Sequence, residues 1–127
     1  MAVVGHVEWV QFARVSHIPR AGEIVHASEP FAEPAGGGAV AAVQLARLAG
    51  ASLLMTALGD DEHGRSSLAR LKQLGVDVRA TTLAEPTRRA VTLVDDARER
   101  TITTFGARLQ PSGGDRRIGW DLSLIHI

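Results

Sequence analysis

The stretch PAGGGAVAAVQLARLAG, residues 34–50, runs three consecutive glycines straight into an apolar segment. The recurrence of Val40, Val43, Leu45, Ala46 and Ala49 predicts a helix over residues 38–49, apolar around much of its circumference and so buried on more than one side. Gly50 closes it as a C-terminal cap. Glycines at a helix start have two uses. They let a ligand touch bare backbone N–H groups at the positive end of the helix dipole, or they let helix and strand approach closely. Phosphate is the first ligand to consider. Yet no Gly-Lys-Ser/Thr ending marks a phosphate loop, and a long excursion separates these glycines from the first strand, where a dinucleotide fingerprint would have to begin.

Working outward, residues 52–58 form an apolar run suited to a buried strand, and Asp60 or Asp61 can cap the helix after it. Leu68, Leu71 and Leu74 recur there at helical spacing, and Gly75 ends the helix. Residues 76–83 alternate like a half-exposed strand. Residues 90–94 and 100–105 flank the polar tip DDARE and predict a β-hairpin. At the other end, residues 2–7 read as a strand covered on both faces, central in a parallel sheet. Between residues 8 and 34 the pattern loosens: Pro19, Gly22 and Pro30 punctuate brief β-like pieces such as residues 23–27. Strand and helix alternate as in βαβ units, so the fold class is α/β with a parallel sheet and a β-rich side element. Two helices cannot cover both faces of a three-strand sheet. The chain is therefore expected to be the amino-terminal part of a larger protein.

Composition narrows the function. The 127 residues hold 14 basic and 14 acidic side chains, so no net field draws in nucleic acid or an anionic membrane. An apolar share of 45% with 4% aromatics describes an ordinary interior of Ala, Val and Leu. The absence of cysteine excludes disulfides, thiolate chemistry and cysteine-ligated zinc. No leader and no run of eighteen apolar residues is visible, so the expected location is cytoplasmic.

Five segments carry a resemblance in order: a first strand ending at Gly5; PRAGEIV at residues 19–25; GGGAVAAVQLARLAG; TALGDDEHGRSSLARLKQLGVDV at residues 56–78; and VTLVDDARERTITTFGA at residues 91–107. Together they resemble the ribokinase-like (PfkB) carbohydrate kinases over nearly the whole chain. The resemblance implies a ribokinase-like doubly wound sheet, here truncated, with a small β-sheet lid built from residues 8–32 and 90–105. It implies transfer of a phosphoryl group from ATP, with Mg2+, to a sugar or sugar-like hydroxyl. It also implies that Gly36, Gly37 and Gly38 lie under the sugar, where a side chain would collide with a polyhydroxylated ring, and that lids of two copies pair into a homodimer.

Three positions depart from the family's pattern. The family often has Asn where this chain has Val40, and an Asn or Asp pair near the end of the first strand where it has Glu8 and Val10. Glu8 can still accept hydrogen bonds from hydroxyls, or stand as a solvated strand-end carboxylate. The substrate-site candidates are thus Glu8, Gly36, Gly37, Gly38 and Val40. The valines motivate an alternative from another class, a non-catalytic sugar- or metabolite-binding module of the same fold. The resemblance places the catalytic base in a Gly-Ala-Gly-Asp motif well beyond residue 127, together with the ATP-binding half. No catalytic residue is assigned within this chain, and the chain alone is expected to lack kinase activity. Ser112-Gly113-Gly114-Asp115 imitates the motif, but no apolar helix follows it. No metal site is assigned either, since Asp60-Asp61-Glu62-His63 sits at a helix start where capping accounts for it. His6, His17 and His26 lack ligand spacing, and Arg88-Arg89 and Arg98-Glu99-Arg100 read as hairpin charges.

Overall fold

A computed structural model describes residues 1–120. The apolar segment at residues 122–127 lies outside the described residues. The elements are β1 (Ala2–Val4), β2 (Glu8–Arg14), β3 (Ser28–Ala35), α1 (Gly37–Ala49), β4 (Ser52–Gly59), α2 (Glu62–Gln73), β5 (Val76–Leu83), β6 (Arg89–Val94) and β7 (Arg100–Phe105), followed by a 3-10 turn at Arg116–Ile118.

β1, β4 and β5 form one parallel sheet in the order β1-β4-β5. The segment LLMTAL of β4 is its buried spine. α1 and α2 cover one face of it, because Ala39, Ala42 and Ala46 from α1 and Leu71 from α2 share a single core with Leu54, Leu58, Val7 and Val76. The Ser52 hydroxyl, buried under α1, donates to the Ala42 carbonyl at 2.7 Å. The opposite face carries Arg79 and Thr81, and there the chain after β7 folds back. Arg79 Nη1 donates to the Ile118 carbonyl at 3.2 Å, and the Thr81 hydroxyl to Asp115 Oδ2 at 2.8 Å. Leu109 and Ile118 are buried in that return.

The second sheet runs β3-β2-β6-β7. Its outer pairs are antiparallel, whereas the central pair β2-β6 is parallel, with Trp9 opposite Arg89. This sheet is the β-rich side element, and it extends past the expected boundary at residue 32 to Ala35.

Four local expectations change. β1 is shorter than residues 2–7 and lies at the sheet edge, with β4 in the centre. Residues 23–27 are not a strand; the pairing segment is Ser28–Ala35, whose Pro30 and Pro34 are tolerated because β3 is an edge strand. α1 is buried on one side by small residues, leaving Val40 and Leu48 exposed. Alanines let the helix lie close to the sheet, so the larger apolar side chains are displaced outward. Of the leucines at helical spacing, Leu71 is fully buried, Leu68 is exposed and Leu74 caps the end of α2. The caps follow expectation: Gly50 is left-handed with φ 86°, and the Asp61 carboxylate accepts from Gly64 N–H at 2.8 Å.

Candidate functional site

The two sheets meet where β1 passes into β2 and where β3 passes into α1. Gly5 and Gly38 touch backbone to backbone there: a Cβ on Gly38 would lie 2.6 Å from the Gly5 carbonyl carbon and 2.8 Å from the His6 oxygen. Gly38 N–H donates to that oxygen at 3.1 Å. Gly36 has φ 86°, a backbone state that L side chains rarely adopt. Gly37 differs from both, since an added Cβ would meet only the edge of the His6 ring, at 3.5 Å. The three glycines therefore divide: Gly38 serves close packing, Gly36 serves the turn, and Gly37 leaves open backbone.

The turn is no phosphate cradle. Gly38 N–H is spent on the His6 carbonyl, and Gly37 N–H points to His6 Nε2 at 3.4 Å. Among the described residues no group of three His, Asp or Glu side chains converges to hold a metal ion. The residues present do not fit ATP or Mg2+.

What the junction does assemble is a half-buried cluster of charge. Glu8, at the start of β2, is 12% exposed, and its Oε1 lies 3.4 Å from both His6 Nε2 and Arg88 Nε. Arg88 is 18% exposed; its Nε is buried without a hydrogen bond, and its Nη2 donates to the Thr104 hydroxyl at 2.9 Å. Burial holds the His6 pKa below its usual 6.5, aided by the charges of Arg108 and Arg88 and opposed by the Glu8 carboxylate. A neutral ring accepting at Nε2 carries its proton on Nδ1, a position assigned from the Gly37 contact. The partner that balances Glu8 is then Arg88. Chemically, the cluster offers a largely buried carboxylate to accept hydrogen bonds from hydroxyls, beside open backbone at Gly37.

Of the candidate residues, Glu8, Gly36, Gly37 and Gly38 come together here. Val40 does not join them: 52% exposed, it lines a shallow groove with Glu33, Gln44 and Arg70. Val10 is buried in β2 opposite Ala90 and faces no open space. His6 and Arg88 were missed as site residues. Only the register of β2 on β6 reveals that Arg88 stands beside Glu8, and no local pattern encodes that register.

The remaining constellations resolve as structure. Asp61 caps α2, Asp60 pairs with Arg65, and His63 stacks on Trp9 with centroids 6.2 Å apart. His17 pairs with Glu23, and Arg89 lies over the Phe105 ring. Asp115 caps the 3-10 turn; its hydrogen bonds with Arg117 and Thr81 hold its carboxyl far below the usual carboxylate range. No helix among the described residues is long and apolar enough to cross a membrane.

Residues 1–111 match the model of the pfkB family of carbohydrate kinases. The chain belongs to that family. Ribokinase from Thermotoga maritima superposes with a TM-score of 0.69 at 28% identity, over 82% of this chain and 35% of its own. Ribokinase of Arabidopsis thaliana, solved with ribose and ATP, gives 0.63 at 27% identity over 82% and 35%. Phosphofructokinase-2 of Escherichia coli, in complex with fructose-6-phosphate, gives 0.76 at 17% identity over 97% and 40%, a likeness of fold alone. No curated protein sequence matches the chain. The α/β architecture with its second sheet is thus the ribokinase-like fold, and the chain spans between 35% and 40% of these three proteins' lengths.

Proposed function

We propose that the protein is an ATP-dependent, cytoplasmic kinase of a sugar or sugar-like hydroxyl, and that this segment supplies the acceptor floor and the lid. The nucleotide, Mg2+ and the catalytic base belong to residues outside the segment. The observation that carries the reading is the Glu8–Arg88 pair half-buried over the glycine turn, where the two sheets meet. The Glu8 carboxylate, 3.4 Å from Arg88 Nε and 12% exposed, is the group to which hydroxyls would donate while the ring rests against Gly37. Family membership and a relative solved with ribose and ATP support the same reading. The second sheet serves as the lid, and its exposed Phe31, Ile102 and Phe105 support pairing of two copies through it. Val10 and Val40, which motivated a purely binding module, stand outside the cluster and lend that alternative no support.

The test is ADP release by the full-length protein across a panel of sugars. Turnover with at least one sugar is expected, and Glu8→Gln should raise the acceptor KM about tenfold or more, the value of hydrogen bonds to a charged group, while the ATP KM stays constant. No ADP above background with any sugar, or an unchanged acceptor KM in Glu8→Gln, overturns the proposal.

A further inference from the structure

Between β5 and β6 the chain leaves one sheet for the other, and Thr87 marks the exit. Its backbone N–H donates to Asp61 Oδ2 at 2.8 Å, and its hydroxyl donates to Asp61 Oδ1 at 2.8 Å. The same hydroxyl accepts from Gly59 N–H at 2.9 Å, and Asp61 Oδ1 also accepts from Gly64 N–H at 2.8 Å. The end of β4, the start of α2 and the entry to β6 are therefore bonded through two side chains. The site admits no bulk: a Cβ on Gly59 would lie 2.5 Å from Thr87 N, and one on Gly64 would lie 2.3 Å from the Gly59 oxygen. Thr87 is buried. Burial alone would raise the Asp61 pKa, but the hydrogen bonds from Gly64 and Thr87 outweigh it and hold the carboxyl below 3.8.

Capping explains only the Gly64 bond. The two bonds to Thr87 have no role in α2, but they clamp the residue directly before Arg88. On its other side, the Arg88 carbonyl accepts from Trp9 N–H at 2.9 Å. We infer that Asp61 and Thr87 are positioning residues for the acceptor site: they fix the height at which Arg88 crosses Glu8, and so couple the α2 N-terminus to the lid. This rests on the reading of the Glu8–Arg88 pair as the acceptor clasp. Neither Asp61 nor Thr87 touches substrate; both act through Arg88.

The experiment compares Thr87→Val, which keeps the shape and loses the hydroxyl, with Thr87→Ser, which restores it. In the full-length protein, amide exchange of β6 (Arg89–Val94) is measured against that of β4, alongside acceptor and nucleotide KM. Thr87→Val is expected to speed β6 exchange about tenfold with β4 unchanged, and to raise the acceptor KM about tenfold with the nucleotide KM unchanged. Thr87→Ser should return both to near wild type. Uniform acceleration of β4 and β6 with an unchanged acceptor KM would assign Thr87 to general stability and overturn the inference, as would wild-type behaviour of Thr87→Val. If no sugar is phosphorylated, the kinase reading fails, while the selective change in β6 exchange still decides whether Thr87 clamps the Arg88 segment.

Discussion

Replacing Gly38 with Ala tests the division of labour among the three glycines. The new Cβ would stand 2.6 Å from a backbone carbon of Gly5, where ordinary contact begins at 3.4 Å, and backbone cannot rotate out of its way. α1 would have to retreat by close to an ångström, which breaks the 3.1 Å bond from Gly38 N–H to the His6 carbonyl. That loss is about 1 kcal/mol, and overpacking adds about 2 kcal/mol. The better helix propensity of Ala returns about 1 kcal/mol, leaving a net loss of about 2 kcal/mol. For a chain of this size the loss corresponds to a fall in Tm of about 8 °C, readable by far-ultraviolet circular dichroism. Gly37→Ala meets nothing closer than the His6 ring edge, so it should melt at or slightly above the wild-type temperature. It should instead raise the acceptor KM, since the methyl occupies backbone the sugar is proposed to cover. Equal melting temperatures for wild type and Gly38→Ala, or an equal fall for both variants, would refute the reasoning.

Two further outcomes follow from the same geometry. His6 has a folded pKa below its unfolded 6.5, so the unfolded chain binds the proton more readily; stability is full above 6.5 and declines as pH falls from there toward the folded value. Urea midpoints at pH 7.5 and 5.5 should therefore differ more for wild type than for His6→Gln, and equal differences would exclude the linkage. Leu71→Ala should cost about 3 kcal/mol by emptying the shared core, whereas Leu68→Ala on the exposed side of α2 should stay within about 0.5 kcal/mol, as denaturant titration would show.

The parts of the fold legible in the sequence are those specified locally. Asp61 before α2, Gly50 and Gly75 after the helices, and the polar tip between β6 and β7 each announce themselves through their own neighbours. β3 was hidden because Pro30 and Pro34 argue against a strand unless its edge position is known, and that position is a tertiary fact. The orientation of α1 was misjudged for a related reason: counting apolar residues favours Val40, Val43, Leu45, Ala46 and Ala49, whereas close approach to the sheet buries Ala39 and Ala42 beside Ala46 and leaves Val40 exposed. At the site, Glu8 and the glycines were visible as unusual residues in a recognisable order. Arg88 was not, because the parallel register of β2 on β6 brings it to Glu8, and no periodicity reports a register between distant segments; His6, two residues before Glu8, carried no ligand spacing to mark it.

That parallel pair also dictates an order of assembly. An antiparallel hairpin can zip from its own turn, but β2 waits for a partner that arrives only after α1, β4, α2 and β5 have been made. Contacts so far apart in the chain carry a large closure entropy and form late. The second sheet thus completes itself on a body already folded, and under mild denaturation its central pair should be the first to part. Parting of β2 from β6 would open the second sheet while the β1-β4-β5 sheet stays intact.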